Sequence, residues 1–151
     1  LTQSGVILQH LADRHGRFGG RDAAQRREVL RWILFDNHKF TSYMASYRFA
    51  RAFGPSAPDP AVMAWLKGRI DAAYAIVDRR LGTTQTIAGD APTIADLSLA
   101  GYLYYPVEES GYDTRSLHPH IAAWMDRLQA LPGWAGPYDL LPGERIAPRW
   151  V

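Results

Sequence analysis

The chain contains no cysteine, which excludes both a disulfide framework and a thiol nucleophile within these residues. It has no apolar run near the roughly 18 residues that a membrane span requires, and no secretory signal pattern at its start. No stretch of four or more residues alternates apolar with polar, so strands are not expected. Glycine-rich phosphate loops, nucleophile elbows and paired carboxylates are likewise missing. No ladder of interleaved basic and aromatic residues points to a nucleic-acid groove. Five histidines are present, but His118 and His120, flanking Pro119, have no third ligand at a recognisable spacing. His10 and His15 read as surface residues, and no metal site is expected.

What remains is an ordinary globular composition of about one domain. The 151 residues are 47% hydrophobic and 12% aromatic, with a formal net charge of +2. Charge is uneven: nine Arg or Lys face four acids up to Phe53, and eight face eleven after it. Such a basic first third could attract an anionic ligand, but arginines on solvated helix faces are the preferred account. The first residue is Leu rather than Met, and the sequence is expected to begin inside a longer protein.

Apolar spacing is helical almost throughout. A first helix is expected over residues 2–14, followed by a linker at Arg17-Phe18-Gly19-Gly20. A long helix follows from about Asp22 to Phe53, with Val29, Ile33, Phe40, Tyr43, Tyr47 and Ala50 on one stripe. Asp36 falls on that stripe, which points to a bend or a polar pocket. Asp59-Pro60 opens the next helix as cap and first helical position, with Val62, Leu66, Ile70, Ala73, Val77 and Leu81 inward. Thr93 to Asp96 has the spacing of a capping box, in which the Thr hydroxyl accepts from the amide three residues on and the carboxylate reaches back to the Thr amide. The helix so capped is expected to reach about Glu109, shortened or kinked by Pro106. A further helix spans roughly 117–130, a short turn lies near residues 134–140, and an irregular tail closes the chain.

Three segments carry a family resemblance: Gly89-Asp90-Ala91-Pro92-Thr93-Ile94-Ala95-Asp96, then Leu117-His118-Pro119-His120-Ile121-Ala122-Ala123-Trp124-Met125-Asp126-Arg127-Leu128, then Leu131-Pro132-Gly133-Trp134. In this order they resemble the helical C-terminal domain of glutathione transferases of bacterial type. Leu1 to Ala12 resembles the segment entering the last helix of that family's thioredoxin-like N-terminal domain. The resemblance implies an all-α helical bundle over residues 17–151, preceded at 1–16 by one helix of a domain whose remainder is missing. It also implies that Gln3 and Ser4 hold the γ-glutamyl end of glutathione, since a helix N-terminus offers free amides and a positive dipole end to a carboxylate.

The chemistry implied is addition of the glutathione thiol to a hydrophobic electrophile by a cytoplasmic homodimer, without metal, membrane or nucleic acid. The thiol-activating residue of that family lies in the missing domain, so this fragment alone is expected to be inactive. His38-Lys39 resembles a dyad that one bacterial class places near the glutathione sulfur. A His beside a Lys is expected to be depressed in pKa and so to accept a thiol proton. Tyr43, Tyr47, Tyr102 and Tyr105 are candidates for the electrophile wall, Tyr43 and Tyr47 foremost because they lie one turn apart. Two other readings stay open on the same scaffold: a non-catalytic assembly module, and a glutathione-dependent reductase or dehalogenase.

Overall fold

In the computed structural model, which describes residues 1–150, every regular element is helical. Among those residues the only β-type pairing is a single bridge between Thr86 and Gly89. The elements are α1 (Ser4–His15), α2 (Ala23–Phe35), a π turn (Asp36–Phe40), α3 (Thr41–Ala52), α4 (Pro60–Leu81), α5 (Ile94–Leu99), a 3-10 turn (Ala100–Tyr102), α6 (Val107–Ser110), α7 (Thr114–Leu117), α8 (Pro119–Gln129) and α9 (Pro137–Leu140). No helix among the described residues is long and apolar enough to cross a membrane.

The first expectation to need correction concerns the long helix. It is continuous from Ala23 to Ala52, but the π turn inserts a residue into its period. An α-helical stripe continued from Val29 and Ile33 predicts Tyr43, Tyr47 and Ala50 as core positions. The buried side chains of α3 are instead Met44, Arg48 and Ala52. Asp36 opens the π turn, is 2% exposed, and builds the polar pocket expected there. Its carboxylate accepts from the Ser98 hydroxyl at 2.6 Å and from the Thr41 hydroxyl. Burial raises its pKa above the ordinary carboxyl value, and the two hydroxyls pull the other way.

The helix α4 starts as the residues dictate, with Asp59 accepting from the Ala61 amide and Pro60 in the first helical position. Its inner face is Leu66, Ile70, Ala73, Tyr74, Val77 and Leu81; Val62, expected inward, is instead 50% exposed. Phe40 of the π turn stacks on Tyr74 with ring centroids 4.1 Å apart. Tyr74 is fully buried, and its hydroxyl has no hydrogen-bond partner.

The capped helix α5 is the most deeply set element, with Ile94, Ala95, Asp96, Ser98 and Leu99 all buried. Both halves of the expected capping box are formed, and further bonds join it. The Thr93 hydroxyl accepts from the Ala95 amide at 3.3 Å and donates to Asp96 at 3.0 Å, while the Thr93 amide donates to Asp96 at 2.8 Å. The shorter Asp draws the hydroxyl toward itself. Asp96 also accepts from the Ile87 amide at 2.8 Å and the Trp124 indole at 3.0 Å. One carboxylate thus joins α5, the loop before it and α8. The helix does not reach Glu109: it passes into the 3-10 turn at Ala100 and stops before Pro106, whose missing N–H and restricted neighbour end it. The helix expected over roughly 117–130 stands as α8, Pro119–Gln129, and the short α7 is a separate turn before it, set off where His118 leaves helical geometry ahead of Pro119.

Candidate functional site

The sequence candidates fall into separate neighbourhoods. Gln3 and Ser4 begin α1, both exposed. The first-turn amides of this helix have no intrahelical partner, and no side chain caps them. Gln3 has φ 68° and ψ 116°. A backbone in that region costs a non-glycine residue on the order of 1–3 kcal/mol. The helix behind it is firmly seated: a Cβ on Gly5 would lie 2.8 Å from Ile33 Cγ2, and Leu8 and Ala12 pack against the core. Val6, Ile7 and Leu11 stay exposed.

His38 is exposed and Lys39 half-buried, both on the π turn. Tyr43 faces α4, where its hydroxyl accepts from Arg69 at 3.0 Å and its ring meets Trp65 edge-on at 5.8 Å. Tyr47 lines a groove with Arg51, Pro58, Met63 and Trp150. Tyr102 and Tyr105 lie near each other, centroids 6.0 Å apart, on another flank of α3. The four tyrosines therefore form no single wall.

The aromatic cleft that the structure does present was not expected. Ala45, Ser46, Arg48, Phe49, Phe53 and Tyr102 line a hollow of about 390 Å³. Phe49 and Phe53, one turn apart and stacked at 5.9 Å, remain 58% and 40% exposed. Beneath them Arg48 is buried with its guanidinium 4.2 Å from the Tyr105 ring centre. It pairs with Glu109 at 3.2 Å, and Glu109 also accepts from the Tyr138 hydroxyl. Two phenylalanines four residues apart, on one face of the segment, were the available signal. Continuing the α stripe across the π turn hid it.

This cleft shares a flank with α1. Gly5 of α1 touches Ile33 and Asn37. Across the π turn a step of about five residues leads from Asn37 to Ser42, and α-helical steps lead on to Ser46, Phe49 and Phe53. At about 1.5 Å per residue the axial distance from Asn37 to Phe49 is about 18 Å.

His118 and His120 do not converge. His118 Nε2 sits 2.8 Å from the Tyr112 hydroxyl, which donates to Asp71 at 2.7 Å. With its single proton given to Asp71, Tyr112 can only accept from His118, so Nε2 carries the hydrogen. Burial lowers the His118 pKa against the pull of Asp78 and Asp71. The His120 ring instead lies against Gly82. Among the described residues no three His, Cys, Asp or Glu side chains are grouped to hold a metal ion.

The family model described as glutathione S-transferase, C-terminal domain, matches residues 40–132, more than half of the chain. The chain belongs to the glutathione S-transferase family. A solved glutathione S-transferase of Xanthobacter autotrophicus is 30% identical with a TM-score of 0.81, covering 93% of this chain and 68% of its own. One from Pseudomonas fluorescens is also 30% identical, with a TM-score of 0.76 over 87% of this chain and 65% of its own. Glutathione S-transferase F13 of Arabidopsis thaliana is 24% identical over 98% of this chain and 70% of its own length. The chain thus spans about two thirds of the length of the glutathione S-transferases it matches. Its family match opens on the π turn at Phe40 and closes just after α8.

Proposed function

We propose that the protein containing this chain is a glutathione transferase, with glutathione bound at the start of α1 and the electrophile seated in the Phe49–Phe53–Tyr102 cleft. In this reading residues 1–16 are the last helix of a thioredoxin-like domain and 17–151 the helical domain. Exposed Val6, Ile7 and Leu11 on α1 favour it, since they offer an apolar face for the rest of such a domain to cover. The observation that carries the ligand assignment is the backbone of Gln3, held at φ 68° directly ahead of an uncapped helix start. Strain of that kind persists where the surroundings enforce it, and it turns a side chain toward a task. The Gln3 amide, the Ser4 hydroxyl and the free first-turn N–H groups together suit a carboxylate.

The cleft on the same flank supplies the second half. Its aromatic walls suit a planar hydrophobic molecule, and polar contacts are few, as in most small-molecule sites. Catalysis in this reading is largely positioning: a thiolate held near an electrophile gains from effective concentration. The proton-removing group belongs to the domain ahead of α1, and His38, exposed one helical turn from Ser42, is a group of this chain able to accept a proton.

The test is titration calorimetry and steady-state kinetics on the intact protein. Each hydrogen bond to the glutathione carboxylate is worth roughly 1–3 kcal/mol. Ser4→Ala is therefore expected to raise the glutathione dissociation constant about tenfold. Phe49→Ala is expected to raise the KM for an aromatic electrophile and leave glutathione binding unchanged. No glutathione binding at millimolar concentration, beside tight association with a partner protein, would favour an assembly module on this scaffold instead.

A further inference from the structure

We infer that Phe18 and Gln25 are positioning residues, which latch the linker between α1 and α2 onto α5 and the loop ahead of it, and so hold α1 in one seat relative to the cleft. The inference rests on the reading above, in which α1 carries the glutathione contacts and the cleft takes the electrophile. Conjugation then needs the two half-sites in register. Covalently, α1 reaches the bundle through residues 16–22.

The linker is bonded to its neighbours at two points. The Phe18 carbonyl accepts from the Ile94 amide at 2.9 Å, one of the first-turn amides that α5 leaves without an intrahelical partner. Three residues on, the Arg21 amide donates to the Gln25 side-chain oxygen at 2.9 Å, and Nε2 of the same side chain donates to the Ala88 carbonyl at 3.2 Å. One glutamine thus joins the linker, α2 and the loop that leads to the Thr93 cap. A Cβ on Gly89 would lie 2.6 Å from Gln25 Nε2, so the loop has glycine where that side chain passes. The exposed Arg21–Asp90 pair at 3.6 Å runs alongside and adds little.

Phe18 itself has φ 65°, a left-handed backbone that a bulky side chain seldom adopts. Such a conformation persists where the surroundings enforce it. Here the ring packs half-buried against the core while the carbonyl is turned to Ile94. A glycine would make the same turn freely and anchor nothing. The linker's landing point matters as much as its shape. Both α1 and α2 pack on α5, so α1 and the linker behind it are seated on one short helix. That helix also holds the π turn, through the 2.6 Å bond from Ser98 to Asp36. The seat of α1 and the turn that aims Phe49 and Phe53 therefore share a common reference. Without the latch α1 keeps only its own packing, and a shift of about 1 Å between reacting groups can cost up to about a hundredfold in rate with binding intact.

The test uses the intact protein, with glutathione and 1-chloro-2,4-dinitrobenzene as the electrophile probe. Gln25→Ala and Phe18→Gly are each expected to lower kcat about tenfold, with the glutathione dissociation constant, its stoichiometry by calorimetry and the KM for the probe within about twofold of wild type. Phe18→Gly suits the φ of the turn, so it removes the anchor without straining the backbone. Phe18→Leu, which restores an apolar anchor, is expected to recover most of the rate. A merely structural role would lower the number of glutathione sites per chain rather than kcat per site. Amide hydrogen exchange supplies a readout free of catalysis. The Arg21 amide, on an exposed residue, is expected to be protected in wild type and to exchange freely in Gln25→Ala. An unprotected Arg21 amide in wild type would overturn the latch, as would unchanged kcat in both variants or a loss of glutathione affinity in step with kcat. A protected Arg21 amide in a wild type that binds no glutathione would instead remove the functional reading, and the latch itself would stand on the exchange data.

Discussion

Replacing Asp96 should cost far more than an ordinary helix cap. A cap is worth about 1 kcal/mol, because one or two amides regain water when it is lost. Asp96 is 0% exposed and its two oxygens accept four bonds, from the Thr93 amide, the Thr93 hydroxyl, the Ile87 amide and the Trp124 indole. That fills the acceptor capacity of a carboxylate. In Asp96→Ala the hydroxyl can rotate away, but three N–H groups stay fixed by the fold. At about 1–3 kcal/mol for each stranded donor, with partial relief from water entering the vacated space, the loss is about 3–5 kcal/mol. Set against the 5–15 kcal/mol typical of whole domains, that is a large share. Thr93→Ala removes a 3.3 Å acceptor and a donor that Asp96 can spare, so its cost stays near 1 kcal/mol. Asp96→Asn is the sharper variant. It preserves shape but turns one acceptor into a donor facing donors, and should fall close to Asp96→Ala. Urea unfolding of the three variants decides it. Equal losses for Thr93→Ala and Asp96→Ala, or an Asn variant near wild type, would refute the reasoning.

Other outcomes follow from the same contacts. Asp36 has a pKa raised by burial, so its contribution to stability is full below the unfolded value of about 3.8 and is lost as pH rises through the native value. Urea midpoints measured from pH 4 to pH 7 should therefore show wild type losing ground steadily to Asp36→Asn. His118 has a pKa lowered by burial; its contribution is present above about 6.5 and lost as pH falls through the native value, and its NMR titration should fall below that of a free histidine. Glu109→Ala leaves the Arg48 charge buried, for about 3–5 kcal/mol. The Arg48→Met, Glu109→Leu double variant should recover at least half of that in a denaturation cycle.

Much of the fold was legible because its signals are local. The Asp59-Pro60 start, the Thr93–Asp96 box and the helical apolar spacing each act within a few residues, and each stands where the sequence places it. What escaped was everything that depends on a partner distant in sequence. Trp124 reads as an inward helix residue, and nothing near it announces a bond to a carboxylate 28 positions earlier. Nor does anything near Arg51 announce that its carbonyl accepts from the amides of Arg149 and Trp150, where the tail returns to the end of α3. The tyrosine wall failed for a different reason. Tyr43 and Tyr47 do lie one turn apart on α3, but one meets Arg69 and Trp65 of α4 and the other the groove beside Trp150, contacts that spacing alone does not reveal.

The reset of period at the π turn is worth following to its end. A residue inserted into a helix turns everything beyond it by about 100°. Deleting one residue between Asp36 and Phe40 would leave both ends of the long helix chemically unchanged and still helical. It would nevertheless swing Met44, Arg48 and Ala52 out of the core and carry Phe49 and Phe53 away from the flank that α1 occupies. The π turn thus works as a fixed angular offset between two halves of one rod. The half before it packs on α5 and meets α1 where Gly5 faces Ile33, and the half after it packs on α4 and meets the tail. Every side chain on the second half owes its direction to five residues that do not line the cleft.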